Sequence, residues 1–295
     1  MAESIGQSDI RGIDIDKIAK GFADEENIFK RFCTVSNTSA RELRWYQKTA
    51  GFISSTTTSG MTTALSDFVA YGALPTVVEQ TWTRQTSYVK KFMLDTVWIP
   101  EEDIMDSDID LLLAHVRDVT RAVERRVDRR IYNILTENQT ASSIGTSAAV
   151  GTGWDDTTNG NPLLDVLSGS AWIRSQGYDI SNLVLLIRPT DYKNAVNFFT
   201  SVKGSSVPQF SSGLASGDQS LFKIATARVV VSENVVADSV CLFVPQRAIT
   251  WKAFAPVSAR VLVEEGVGRK VRVWEEGEAL LTDPKSVFLI TNTNG

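Results

Sequence analysis

Asp106–Asn138 reads DSDIDLLLAHVRDVTRAVERRVDRRIYNILTEN, with neither proline nor glycine inside it. Ile109, Leu112, Val116, Val119, Val123, Val127, Ile131 and Ile134 recur at gaps of three and four. That spacing lines them up as one apolar stripe and predicts a helix over Ser107–Asn138. Asp106 or Ser107 is placed to cap its amino end, with Asp110 in the first turn able to reach back toward the orphan amides. Asp108 and Asp110 sit at the positive end of the macrodipole, and Arg125, Arg126, Arg129 and Arg130 lie toward the negative end. Both placements favour the helix, which is expected to run on the order of 45 Å. A helix that long spans a domain, so other elements must lie along its apolar side. A coiled coil is the plainer reading, but the stripe lasts only about four heptads and the sequence offers no second helix of similar length. What flanks it is strand-like.

Just upstream, residues 76–99 read TVVEQTWTRQTSYVKKFMLDTVWI. Val, Thr, Trp, Tyr, Phe and Ile dominate, which predicts two long strands with a reversal near Gln85–Ser87, although neither Gly nor Asn marks that turn. Apolar residues fall at both parities: Val89, Met93, Val97 and Ile99 on one, Tyr88, Phe92, Leu94 and Trp98 on the other. A hairpin apolar on both faces is marginal by itself and must be buried in its own domain or covered by another subunit. Further upstream, residues 34–66 are rich in Ser and Thr and read as an extended, mostly irregular connector, too long for an ordinary loop. Residues 1–32 begin polar and then place Ile15, Ile18, Phe22, Ile28, Phe29 and Phe32 as a short amphipathic helix interrupted at Gly21. Such a terminal segment suits either an arm packed on a partner or a frayed helix on its own domain.

Downstream, residues 139–161 form a Gly/Ser/Thr/Asn linker with Trp154 as its one large anchor. Asn161 then caps, and Pro162 opens, a second helix ended by Gly177. A buried strand, Leu183–Ile187, follows, then Pro189 and a third helix at TDYKNAVNFF, making a compact α/β piece. Residues 201–220 read as a flexible loop whose glycines match no phosphate-cradling pattern. From Ala227 the chain is β-rich. Val261 and Val263 face Val271 and Val273 across the turn EEGVGRK, with Gly266 and Gly268 at the bend. Glu264, Glu265, Glu275 and Glu276 in this hairpin resemble an acid/base couple only superficially, since nearby arginines and lysines favour a salt-bridged, solvated hairpin.

Composition narrows the classes. The chain has 295 residues, 43% hydrophobic and 22% charged, as in an ordinary globular protein. No apolar run approaches membrane-spanning length, and Met1–Asp9 lacks a signal-peptide pattern, so the chain is expected to be made and kept in cytosol. Cys33 and Cys241 are isolated thiols, suggesting neither a disulfide framework nor a zinc site. The net charge of −5 argues against gripping nucleic acid by a broad basic surface, while leaving room for enclosing it. His115, the single histidine, lies inside the long helix and reads as a packed side chain rather than a base. No catalytic, cofactor-binding or metal-binding residues are expected.

The order now assembled is a polar arm, a connector, a two-faced hairpin, a long helix, an α/β piece with a glycine-rich tip, and returning strands. Together with WIPEEDIMDSDIDLLLAHVRDVTRAVERRVDRRIYNIL, SQGYDISNLVLLIRPTDYKNAVNFF and KIATARVVVSENVVADSVCLFVPQRAITWKAF, that order resembles the major capsid proteins of tailed double-stranded DNA phages, the Hong Kong 97 fold. The resemblance implies an α+β fold: N-terminal arm and connector (1–66), E-loop hairpin (67–100), peripheral domain with spine helix (101–145), axial α/β domain (146–250), and returning strands of the peripheral β-sheet (251–295). It implies subunit contacts through Trp82, Arg84, Tyr88, Lys90, Lys91, Phe92 and Trp98 of the E-loop and Ile15, Ile18, Phe22 and Phe29 of the arm. Leu112, Val116, Val123, Val127 and Ile131 would form the core of the spine helix. Some members carry a cleavable scaffolding segment in front. Here the arm begins within a few residues of Met1, which implies a separate scaffold, none, or a processed chain. Some members cross-link Lys to Asn from the E-loop, but Lys90 and Lys91 read as solvated or ion-paired lysines. The implied function is a structural, non-enzymatic subunit that assembles with itself, through hexamers and pentamers, into an icosahedral shell. Scaffold, portal and decoration proteins would be its partners, and the shell would enclose DNA without sequence-specific binding. No membrane or cofactor is implied; the setting would be the virion, assembled in host cytoplasm. An encapsulin-type shell around enzyme cargo is the alternative, and an enzyme using the hairpin carboxylates the distant third.

Overall fold

The computed structural model describes residues 19–20, 28–49, 71–72, 82–106, 111–137, 144–149, 153–156, 158–199 and 223–294. Ile15, Ile18 and Phe22 of the expected arm, Ser107–Asp110 of the expected helix, and the loop 201–220 lie outside them. In chain order the elements are β1 (Thr34–Asn37), β2 (Glu42–Lys48), β3 (Trp82–Tyr88), β4 (Lys90–Asp95), α1 (Glu101–Asp106), α2 (Leu111–Thr136) and β5 (Gly145–Ala148). There follow α3 (Pro162–Ser175), β6 (Leu183–Ile187), α4 (Pro189–Asn197), β7 (Lys223–Ile224), β8 (Ala227–Val231), β9 (Ser239–Phe243), β10 (Ile249–Glu264), β11 (Gly268–Leu281) and β12 (Val287–Thr291). They gather into two compact units, one from residues 1–43, 86–131 and 251–280, the other from 44–85, 132–250 and 281–295.

The first unit sets α2 on a four-stranded sheet of order β1-β10-β11-β4. The predicted stripe faces that sheet: Val116, Val123, Val127 and Ile131 are buried, and Leu112 and Val119 are half-buried. Val116 and Val123 pack with Val257, Ala259, Val271 and Val273 of the two long strands, which are the other half of the core. Helix begins earlier than the stripe indicates. The chain is already helical at Glu101, immediately after Pro100, with Glu101, Glu102 and Asp103 at the positive end of a short helical segment that closes at Asp106.

Two strand assignments need correction. β3 runs unbroken through Gln85–Ser87, where a reversal was expected, and it does not pair with β4. β3 instead pairs with β2, and β4 pairs antiparallel with β11, Arg272 opposite Asp95 and Gly277 opposite Lys90. With no Gly, Pro or Asn between Thr81 and Asp95, little in this segment folds it back, and each half takes a partner distant in sequence. The connector 34–66 likewise is not mostly irregular where it is described, since it holds β1 and β2.

The second unit is a six-stranded mixed sheet, β5-β12-β9-β6-β8-β7. β6 lies parallel to β8 and antiparallel to β9, and every residue of β6 and β9 is buried. The expected returning strands 251–295 are divided: 251–280 belong to the first unit, but β12 pairs with β9 and β5 in this sheet rather than returning to the peripheral one. VFLIT is apolar at successive positions, which suits a strand covered on both faces but does not say which sheet takes it. Trp154 is buried and its indole N–H donates to Asp165 Oδ2 at 2.7 Å. Asn161 Oδ1 accepts from the Leu164 amide at 3.2 Å, Pro162 follows at the first helical position, and Gly177 ends the helix at φ +86°. Asn161→Ala is expected to lower stability by about 1 kcal/mol, read as a fall in the urea midpoint with an unchanged slope.

Candidate subunit-contact surface and the arm root

The β2–β3 ribbon carries large side chains that its own chain leaves in solvent. Tyr46 is 61% exposed, Trp82 52% and Tyr88 63%, and Arg84 is exposed between the last two. All seven residues of β3 are exposed or half-buried, so neither face of this strand is covered. The carboxyl end of β2 is fixed, by contrast. Gln47 Nε2 donates to the Leu281 carbonyl at 3.0 Å and the Lys48 amide to the Thr282 carbonyl at 2.9 Å. Lys48 is buried, with its ammonium 5.8 Å from the centre of the Tyr178 ring, and burial lowers its pKa although the Asp283 carboxylate works the other way. Tyr178 in turn donates to Asp283 Oδ1 at 2.7 Å, and Arg247 Nε donates to Oδ2 at 3.0 Å.

The expected contact residues of β4 are placed differently. Lys90 and Lys91 are exposed, but Lys91 lies 3.5 Å from Glu276 and over the Trp274 ring. Phe92 is half-buried against the core of its own unit, 6.3 Å from Trp251 between ring centres. Trp98 is half-buried with Lys270 over its ring at 5.0 Å. These aromatic surfaces are partly used at home, because β4 is a sheet strand rather than half of a free hairpin.

Phe29, expected as an arm contact with another copy, is buried within its own chain. It opens the arm root, residues 28–33, which contains a single 3-10 turn at Lys30–Phe32. The root is seated by charge. Asp128 of α2 accepts the Phe29 amide at 3.2 Å on Oδ1 and the Ile28 amide at 3.4 Å on Oδ2. Lys30 Nζ donates to Glu124 of α2 at 3.0 Å and to Glu275 of β11 at 2.6 Å, with its ammonium 5.6 Å from the centre of the Trp251 ring. The side chains of Glu124 and Glu275 are 1% and 4% exposed, that of Lys30 12%. One ammonium therefore stands among three buried carboxylates.

Burial pushes Glu124 up to about 8 against the pull of Lys30, and the nearby charges of Glu275 and Asp128 add to the rise. Burial also raises Asp128 to about 6, partly countered by the two amides it accepts. Desolvation opposes the charge on Lys30, but the carboxylates of Glu275 and Glu124 outweigh it and hold the ammonium above its ordinary value. The expected solvated hairpin is corrected here too. Glu264 and Glu265 are exposed, whereas Glu275, Glu276 and Glu278 are buried, Glu278 meeting Arg130 at 2.7 Å. Their cations come from elsewhere in the chain, which is why the inner part of β11 can carry carboxylates inward. Among the described residues, no three His, Cys, Asp or Glu side chains are grouped to hold a metal ion, and no helix is long and apolar enough to cross a membrane.

Comparison with known proteins gives this arrangement its context. A family model described as phage capsid protein matches residues 84–289, well over half of the chain. The chain belongs to the phage capsid protein family. This capsid protein is similar in fold to the capsid of the native GTA particle, at TM-score 0.65 and 12% identity over 90% of each chain. It is similar also to the capsid of cyanophage P-SCSP1u, at TM-score 0.64 and 12% identity, covering 90% of this chain and 88% of that one. The virus-like particle from Pyrococcus furiosus matches at TM-score 0.61 and 10% identity, over 95% and 99%. No curated protein matches by sequence. The architecture is thus Hong Kong 97-like, α+β, and the protein is a structural, shell-forming component of the virion capsid.

The arm-root cluster was not visible beforehand. Glu124 and Asp128 lie off the line of the apolar stripe and drew no assignment from it. The available signal was their spacing: with Thr120 they lie four apart, alongside Val116, Val123 and Val127, so they widen the buried face instead of opposing it.

Proposed function

We propose that this capsid protein closes with copies of itself, through hexamers and pentamers, into an icosahedral shell around a double-stranded DNA genome. The observation that carries this reading is the β2–β3 ribbon, where Tyr46, Trp82 and Tyr88 stay in solvent on a strand pair whose root is fixed. Covering such surface on a neighbour gains about 25 cal/mol per Å2 of apolar area, most of it offset by the entropy of association. Each contact is weak, and closure multiplies it. Trp82, Arg84 and Tyr88 are assigned to that contact, with Lys90 and Lys91 at its edge. The balance of charge, −5 per chain, makes the shell a wall that does not grip DNA. Scaffold, portal and decoration proteins would be partners, and assembly would take place in the host cytoplasm.

The test is expression of the chain alone and with its phage neighbours, followed by electron microscopy and sedimentation of the product. Wild-type chain should form closed shells of uniform size, and particles from infected cells should hold nuclease-protected DNA. A Trp82→Ser, Tyr88→Ser double variant should keep the far-ultraviolet dichroism of the wild type and lose nearly all shells. Shells in wild-type yield from that variant would remove the assigned contact. Enzyme cargo in place of a genome would move the protein to the encapsulin class.

A further inference from the structure

Lys30, Glu124, Asp128 and Glu275 meet inside one unit of a single chain. Fully ionised, the four carry one positive and three negative charges in a place largely shut off from water. A Lys flanked by two carboxylates is satisfied; the third carboxylate is in excess. Such an excess is relieved either by taking up a proton or by letting the arm root leave the helix. We propose that this cluster is a proton-loaded latch, which holds residues 28–33 on α2 in mildly acid solution and loosens as the solution becomes mildly alkaline.

The groups facing one another are few. From the arm root come the Lys30 ammonium and the Cys33 thiol, the latter pushed up to about 12 by burial and so neutral throughout the range concerned. Glu124 and Asp128 come from α2, Glu275 from β11, and from β10 the uncharged Trp251 ring. The sign follows from the seated state binding protons more tightly than the released one. Glu124 titrates near 8 when the root is seated and near the ordinary value of about 4.3 when it is released. The release constant therefore rises with pH between those values, by about tenfold per pH unit, and levels off above them. Below about 6, Asp128 adds a second proton to the same trend. Lys30, held above its ordinary value, keeps its charge across the whole window and contributes no slope there.

The experiment is amide hydrogen exchange of the full-length chain at pH 5, 6, 7, 8 and 9, corrected for intrinsic rates. The peptide covering residues 28–33 reports directly, because the Ile28 and Phe29 amides are the ones Asp128 holds. A peptide from β9, buried in the other unit, serves as the reference for global opening. In the wild type, the release constant of 28–33 should rise about 100-fold from pH 6 to pH 8 and then level, while the reference stays flat. Glu124→Gln keeps a partner for Lys30 and lacks the titrating charge. It should flatten the profile between pH 6 and 8 and exchange more slowly than wild type at pH 8. Asp128→Asn should keep the slope above pH 6 and lose the steeper part below it. A flat wild-type profile, or a Glu124→Gln slope equal to wild type, overturns the latch. Should Glu124→Gln fail to fold, the wild-type profile and the Asp128→Asn difference below pH 6 decide the matter.

Discussion

Lys30→Met should destabilise the chain by about 3–5 kcal/mol at pH 8, and by roughly half that or less at pH 5. Methionine preserves most of the volume and packs well on Trp251, so lost packing is a minor part of the effect. What is lost is the ammonium that Glu124 and Glu275 share, at 3.0 and 2.6 Å. Both carboxylates, with Asp128, then stay buried without the ammonium that stood among them, and this is the expensive kind of lost ion pair. At pH 5 the damage shrinks, since Glu124 and Asp128, raised to about 8 and 6, are already protonated and have little charge to leave unpaired. Urea unfolding at the two pH values reads the result as midpoints. A loss below 1 kcal/mol, or one of the same size at both pH values, would show that the ammonium is not what stabilises this cluster.

How much could be read before the fold was known depends on how local each signal is. The spine helix was legible because its evidence lies within itself: a stripe at gaps of three and four, with no breaker from Leu111 to Thr136. The α3 cap at Asn161 and the stop at Gly177 were legible for the same reason. Partner choice was not. β3 and β4 were seen as strands but paired with each other, because a run of β-branched and aromatic residues reports extension and says nothing about the neighbour. Their true partners, β2 and β11, lie about 40 and 180 residues away in sequence, beyond any periodicity. β12 was misplaced likewise. Of the expected contact residues, Trp82, Arg84 and Tyr88 are exposed. Phe92 and Trp98 are partly, and Phe29 fully, taken up by their own unit, since an aromatic residue advertises burial without naming whose. The latch was invisible because Lys30 and Glu124 are 94 residues apart, and each alone looks like an ordinary surface charge.

Gly268→Ala is expected to cost about 4 kcal/mol. Gly268 has φ +141°, a backbone region that side chains other than hydrogen scarcely occupy, and strain of that kind is worth about 1–3 kcal/mol. The added Cβ would also clash with the Ile99 carbonyl oxygen and lie 2.8 Å from its carbon, both backbone atoms. That carbonyl accepts the Arg269 amide at 2.9 Å while the Ile99 amide donates to the Arg269 carbonyl at 2.8 Å. Relief of the clash therefore breaks a doubly hydrogen-bonded bridge, at about 1 kcal/mol for each bond lost. The bridge ties the stretch between β4 and α1 to the turn end of the β10–β11 hairpin, so its loss should also speed exchange of the Ile99 and Arg269 amides. Gly266, in the same turn, supplies the control. Its φ is +75°, but nothing lies within 4 Å of where its Cβ would stand, so Gly266→Ala should cost only about 1 kcal/mol. Equal losses for the two alanines would mean that backbone conformation alone decides this turn and that the close approach of Ile99 carries no weight.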